Sequence, residues 1–176
     1  MHEYEFTLKF RLPDVDADPE QHIEALAAAG CDDALVGLGQ RGRVALDFAR
    51  EARSAFDAIA SAVRDVRKAI PGAQLVEAAP DFVGLTDVAD IAGFTRQNMR
   101  KLMMTHVGTF PPAVHEGTSS LWHLAPVLLW LELHQRREVD SVLLEVARIN
   151  MMLNIAREAR SLRGAALPKR WVRLLG

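Results

Sequence analysis

Leu85-Thr-Asp-Val-Ala-Asp-Ile-Ala-Gly-Phe-Thr-Arg-Gln-Asn-Met-Arg-Lys-Leu102 reads as two short helices about a glycine turn. Thr86 is placed to cap the first helix, with Asp87 and Asp90 near its positive end. Val88, Ala89, Ile91 and Ala92 form its buried side, and the small Ala89 lets a second helix approach. Gly93 falls where the turn needs a left-handed backbone. Phe94 plugs the turn, and Thr95 is the cap of the second helix. Met99, Leu102 and Met103 point inward, leaving Arg96, Gln97, Asn98, Arg100 and Lys101 outside. Amide side chains read adenine edges and arginines read guanine, while any of the cations pairs with phosphate. The pattern predicts a helix-turn-helix whose second helix, 95–104, enters the major groove of double-stranded DNA. The expected DNA-binding residues on it are Thr95, Arg96, Gln97, Asn98, Arg100 and Lys101.

Downstream, Phe110–Val114 and Leu121–His123 are expected to pair as a two-stranded wing, with 115–120 as its tip. Leu124–Gln135 reads as a helix that tolerates Pro126 in its first turn. A longer helix is expected from about Glu138 to Arg163. Its Val139, Val142, Val146, Ile149, Leu153 and Ala156 alternate steps of three and four, a heptad seam. Asn150 and Asn154 lie beside the seam, where they would set register. The seam suits either a homodimer contact, the reading preferred here, or packing on the chain's own sheet. Arg160, Arg163, Lys169, Arg170 and Arg173 make a basic tail that would add phosphate contacts.

Upstream, Tyr4, Phe6, Leu8, Phe10 and Leu12 alternate with Glu5, Thr7, Lys9 and Arg11, as in a half-buried strand. Asp18-Pro19 opens a helix with Ile23, Leu26 and Ala27 on its apolar face, and Gly30 closes it. Ala34–Leu38 and a strand with Val44, Leu46 and Phe48 form a hairpin. A helix capped by Ser54 carries Phe56, Ile59, Ala60, Val63, Val66 and Ile70 at helical spacing. Ala73–Ala79 is a last strand. The order β-α-β-β-α-β predicts a ferredoxin-like sheet with helices on one face. The expected class is thus α+β. A ferredoxin-like domain for sensing or association (1–80) precedes a winged helix-turn-helix (81–135) and a long helix with a basic tail (136–176).

Charge supports this division. The 176 residues carry a net charge of −2. Residues 1–80 hold 9 basic and 14 acidic side chains, and residues 81–176 hold 12 and 9. Affinity for phosphate is expected in the second half. The single cysteine, Cys31, excludes an internal disulfide and fits a cytoplasmic protein. The acidic, alternating start does not read as a signal peptide, and the apolar run Leu124–Leu133 is too short to span a bilayer.

The segment Phe82–Glu132 resembles the MerR/excisionase-like winged helix-turn-helix family. The resemblance lies in the Leu85–Gln97 core, in Phe110-Pro111-Pro112, in Leu121-Trp122, and in the following helix with Val127 and Trp130. It implies a proline-led wing strand, an aromatic after the turn, and a DNA-binding regulator of bacterial type. Wings of that family are rich in glycine and arginine. This tip carries Glu116 and no Arg or Lys, so Thr118 and Ser119 are its expected phosphate contacts. The recognition helix must supply most of the affinity.

Other motifs carry less. Gly37-Leu-Gly-Gln-Arg-Gly42 matches GxGxxG, yet a strand and not a helix follows it, so it reads as a hairpin turn. His106, His115, His123 and His134 lack metal-ligand spacing and read as solvated side chains. Catalytic constellations of the Ser-His-Asp or Cys-His kind are not legible, and neither an enzyme nor a cofactor is expected. Nothing in the sequence specifies a small-molecule effector. The competing reading is a protein-interaction or antitoxin-like accessory module whose helix-turn-helix is architectural.

Overall fold

The computed structural model describes residues 1–37 and 39–162. The fold is mixed α/β, with an antiparallel sheet and six α-helices among the described residues. In chain order, β1 (His2–Arg11) is followed by a 3-10 turn at Pro19–His22 and by α1 (Ile23–Ala29). Then come β2 (Ala34–Gly37), β3 (Arg43–Ala52), α2 (Ala55–Ala69) and β4 (Gln74–Ala79). The four strands lie in the order β2-β3-β1-β4, all antiparallel.

The alternation in β1 places Tyr4, Phe6, Leu8 and Phe10 on one face. Opposite them in register stand Arg50, Phe48, Leu46 and Val44 of β3. Phe6 stacks on Phe48 at 5.2 Å. Glu3, Glu5, Lys9, Asp47 and Glu51 occupy the other face, which stays exposed. Between β2 and β3 the turn takes Gly42 into φ +70, and a Cβ there would stand 2.3 Å from the Val15 carbonyl oxygen. Only glycine fits that approach.

Helix boundaries differ from the sequence expectation where local hydrogen bonds intervene. Asp18 caps the 3-10 turn, and regular α-helix begins only at Ile23, which is exposed. Ser54 caps α2 through the Asp57 amide as expected. Phe56 does not join the core and is 62% exposed. Ala55, Ala58, Ile59, Ala62 and Val66 define the buried stripe, and Phe56 stands about 100° round the helix from Ala55.

The second half begins with β5 (Phe82–Val83), then α3 (Leu85–Ile91) and α4 (Arg96–Thr105). After them come β6 (Trp122–His123), α5 (Leu124–Gln135) and α6 (Ser141–Ser161). The expected hairpin of 110–114 with 121–123 is reduced to a single bridge, His115–Leu121. Pro111 and Pro112 have no N–H for a ladder. Trp122–His123 pairs instead with Phe82–Val83. α6 starts at the Asp140 cap, later than expected.

The heptad seam of α6 packs in good part on the chain's own sheet, the alternative to a dimer contact that its spacing left open. Val146 is buried in the core of the first half, with Val142, Ile149 and Leu153 against it. Leu144 and Ala147 belong to the core of the second half, with Trp122, Val127, Trp130 and Met99. Glu145 between them accepts the Ala55 amide at 2.9 Å at the start of α2. Asn150 and Asn154 are likewise fully buried within the chain. Among the described residues no helix is long and apolar enough to cross a membrane. Arg163, Lys169, Arg170 and Arg173 of the expected tail lie outside the described residues.

Candidate nucleic-acid interface

The helix pair is held by short-range bonds. Thr86 does not cap α3. Gly84 precedes the helix, and its N–H donates to Asp87 Oδ2 at 2.7 Å, so Asp87 reaches back across the first turn. Gly93 adopts φ +66 and turns the chain. Thr95 Oγ1 accepts the Asn98 amide at 3.1 Å and starts α4 as expected. That cap commits Thr95 to the helix. Met99 and Ala89 are fully buried, with Leu102 and Met103 beside them.

Sequence reasoning missed Arg137. Its Nη2 donates to the Ala92 carbonyl at 2.7 Å, and its guanidinium lies 4.6 Å from the Phe94 ring centre. It therefore satisfies a carbonyl at the end of α3 and pins the plug of the turn. An arginine 44 residues beyond Gly93 carries no local signal of this role.

Arg96, Gln97, Asn98, Arg100 and Lys101 are all exposed. Among the described residues, Arg96, Arg100 and Lys101 make no ion pair. They divide into two groups around the helix. Arg96 and Arg100, one turn apart, line a cleft of about 430 Å³ with Thr118, Ser119 and Ser120 of the loop 116–120. Thr86 and Asp87 form its other wall. Gln97, Asn98 and Lys101 do not line this cleft; at 100° per residue, Gln97 and Lys101 stand on the outward side of α4. The structure thus brings together four of the expected residues, Arg96, Arg100, Thr118 and Ser119. The cleft offers two guanidiniums and hydroxyls, the donor set of a phosphate seat. No protein-family model, curated protein or solved structure matches this chain.

The loop 116–120 is closed by the His115–Leu121 bridge, and Trp122, which lines the cleft beside it, belongs to an aromatic cluster. Phe110 meets Trp130 edge-on at 5.0 Å and Trp122 at 6.3 Å, and Trp130 Nε1 donates to Thr109 Oγ1 at 3.3 Å. His106 and His134 flank the same Trp130, so they are not simply solvated.

His123 departs further from that expectation. Its Nδ1 lies 2.7 Å from Oδ1 of the fully buried Asp81, and its ring rests on Phe82 at 5.0 Å. Asn154 Nδ2 donates to the other Asp81 oxygen at 2.8 Å. Pro80-Asp81, expected as a boundary, is therefore an interior junction and not an exposed linker. Among the described residues no three His, Cys, Asp or Glu side chains form a metal-ligand set.

Proposed function

We propose that this chain is a sequence-specific DNA-binding protein, a transcriptional regulator of bacterial type. It reads the major groove with α4 in a MerR/excisionase-like winged helix-turn-helix. The strand order β2-β3-β1-β4, with α1 and α2 between the strands, supports the ferredoxin-like reading of its first half. The observation that carries the functional reading is the cleft in which Arg96 and Arg100 meet Thr118 and Ser119. A backbone phosphate seated there would fix the register of α4, and Gln97 and Lys101 beside it would face base edges. Asp87 shares the cleft but bonds back to the Gly84 N–H, and among the described residues neither arginine makes an ion pair, so both are available to an anion. A second copy binding a second half-site would multiply the affinity of one short helix.

The test is selection of bound duplexes from a random pool, followed by titration at several salt concentrations. Wild type should enrich a defined sequence. Arg96→Ala/Arg100→Ala should weaken binding across all sequences and lower the salt slope by about 1, since the two arginines share one phosphate. Gln97→Ala should instead relax the selected sequence. Equal binding of wild type and the double variant would remove α4 as the reading element.

A further inference from the structure

A cleft of about 800 Å³ lies where α2, α6 and the ends of β1 and β4 meet, away from α3 and α4. The β1–β4 register slips between Lys9 and Phe10, in the part of the sheet that borders this cleft. Arg11, Arg67, Arg157 and Arg160 line it, and among the described residues no carboxylate does. Among the described residues Arg157 Nε is buried without an acceptor, while its Nη2 meets Glu158 at 3.2 Å in an exposed pair. Arg11 donates to the neutral Gln74. Arg67 and Arg160 make no ion pair among the described residues. Four like charges around one hollow repel each other, and a bound anion reverses that cost.

The cleft is not purely polar. Leu75 and Leu153 line its floor, and it continues into a groove of about 430 Å³ between α2 and α6. The two share Val63, Leu153 and Ala156. Apart from Arg64 the groove lining is apolar, and it includes Phe56 and Met152, each more than 60% exposed. Exposed phenylalanine and methionine beside an apolar groove mark a surface built to be covered. Phe56 and Arg67 lie about 16 Å apart along α2 at 1.5 Å per residue. A cationic head site and an apolar channel of that length share one wall.

We infer that this surface binds a soluble anionic amphiphile, a phosphate monoester or diphosphate carrying a single apolar chain. The arginines take the phosphate oxygens through charge-assisted bonds from their guanidinium N–H groups. The chain lies along the groove and covers Phe56 and Met152. A duplex is too broad and convex to enter this hollow, and two copies packed symmetrically over it would bring eight arginines together. The inference is independent of DNA binding. Should both hold, α6 links the two, because its other end packs against α5 in the core to which the helix pair also contributes.

The test is calorimetric titration of the full chain with decyl phosphate below its micelle concentration. Decyl maltoside and inorganic phosphate serve as half-ligands. One decyl phosphate should bind per chain, with each half-ligand at least about tenfold weaker. Arg67→Ala/Arg157→Ala should weaken decyl phosphate about tenfold or more, and Phe56→Ser should weaken it without altering the thermal midpoint. Arg53→Ala/Arg136→Ala, which line neither the cleft nor the groove, should bind as wild type. Equal affinity for decyl maltoside would overturn the inference, as would unchanged binding by the arginine variant. Association with phosphatidic acid vesicles but not with monomeric decyl phosphate would also overturn it, and would point to a membrane surface. Failure to bind decyl phosphate together with a concentration-dependent dimer would assign the groove to a second copy.

Discussion

Asn154 of α6 holds Asp81 and Ala78 together inside the molecule. Its Nδ2 donates to Asp81 Oδ2 and to the Ala78 carbonyl, each at 2.8 Å, and its Oδ1 accepts the Ala78 amide at 2.9 Å. One amide side chain thus completes the backbone of β4 and compensates a carboxylate with no solvent exposure. Asn154→Leu keeps the volume and deletes all three bonds. The expected cost is about 2–4 kcal/mol, because a buried carboxylate and two backbone groups lose partners. Asn150 provides the contrast. It makes one long bond, 3.3 Å to the Pro80 carbonyl, and its Oδ1 has no partner. Asn150→Leu should cost about 1 kcal/mol or less. Urea unfolding of the two variants decides the matter, and equal losses would contradict the assigned roles.

Arg50 organises the opposite side of the first half. It is only 7% exposed and donates to Asp33, Asp65, Ser61 and the Gly30 carbonyl, with its guanidinium over Phe48. Asp33 and Asp65 hold it charged at every working pH, against the opposing pull of burial, its largest single influence. Arg50→Met should cost about 3 kcal/mol, the lower end for breaking a buried pair, because both aspartates keep some hydration. Arg50→Lys should recover only a minor part, since an ammonium cannot span acceptors set around a planar fork. Chemical denaturation measures both, and full rescue by lysine would show that charge alone suffices.

Cys31 is the group whose titration should be visible in stability. Burial pushes its thiol from 9.0 up to about 11; the Arg50 guanidinium pulls it down, and Asp65, Asp33 and Asp32 push it further up. Folding thus favours the protonated thiol. Its contribution is complete below about pH 9, where the unfolded thiol is still protonated, and is lost as pH rises through about 11. Wild type should lose stability faster than Cys31→Ala across that window. Near neutral pH the native thiol should react slowly with Ellman's reagent until denaturant is added. Parallel pH profiles for the two proteins would exclude the effect.

Arg137→Ala should loosen the helix pair without touching the sheet. The variant loses the bond to Ala92 and the contact with Phe94, together worth about 1–2 kcal/mol at an exposed site. Amide exchange in α3 and α4 should accelerate while α2 keeps its protection. Uniform acceleration throughout the chain would mean that the turn is not a local unit.

Much of this was legible in the sequence because its signals are local. Alternation marks β1, helical spacing and Ser54 mark α2, and Gly93 with Thr95 marks the turn and start of α4. Leu124–Gln135 has the expected bounds for the same reason. Apart from helix starts and caps, such as Thr86, the failures are non-local. The partner of Trp122–His123 is Phe82–Val83, about 40 residues earlier, and local hydrophobicity does not encode that choice. The α6 seam has the same spacing whether it meets a second copy or β1 and β4. His123 reads as solvated until Asp81 is brought beside it. In the candidate site, Arg96 and Arg100 follow from helix spacing, whereas their meeting with Thr118 and Ser119 depends on how the loop 116–120 folds back. The arginines of the larger cleft come from β1, α2 and α6, and no spacing rule joins them.

The placement of α6 has a consequence for how such a protein can change over generations. Val146 completes one core, Leu144 and Ala147 complete the other, and Glu145 tethers the start of α2. Neither half owns this helix. A recombination event that joins the first 80 residues to a foreign partner leaves their apolar face bare unless α6 travels too. One that transplants the helix pair alone strips its base. Exchange of either half alone would therefore expose apolar surface, whereas compensating substitutions along this one helix would keep both cores closed.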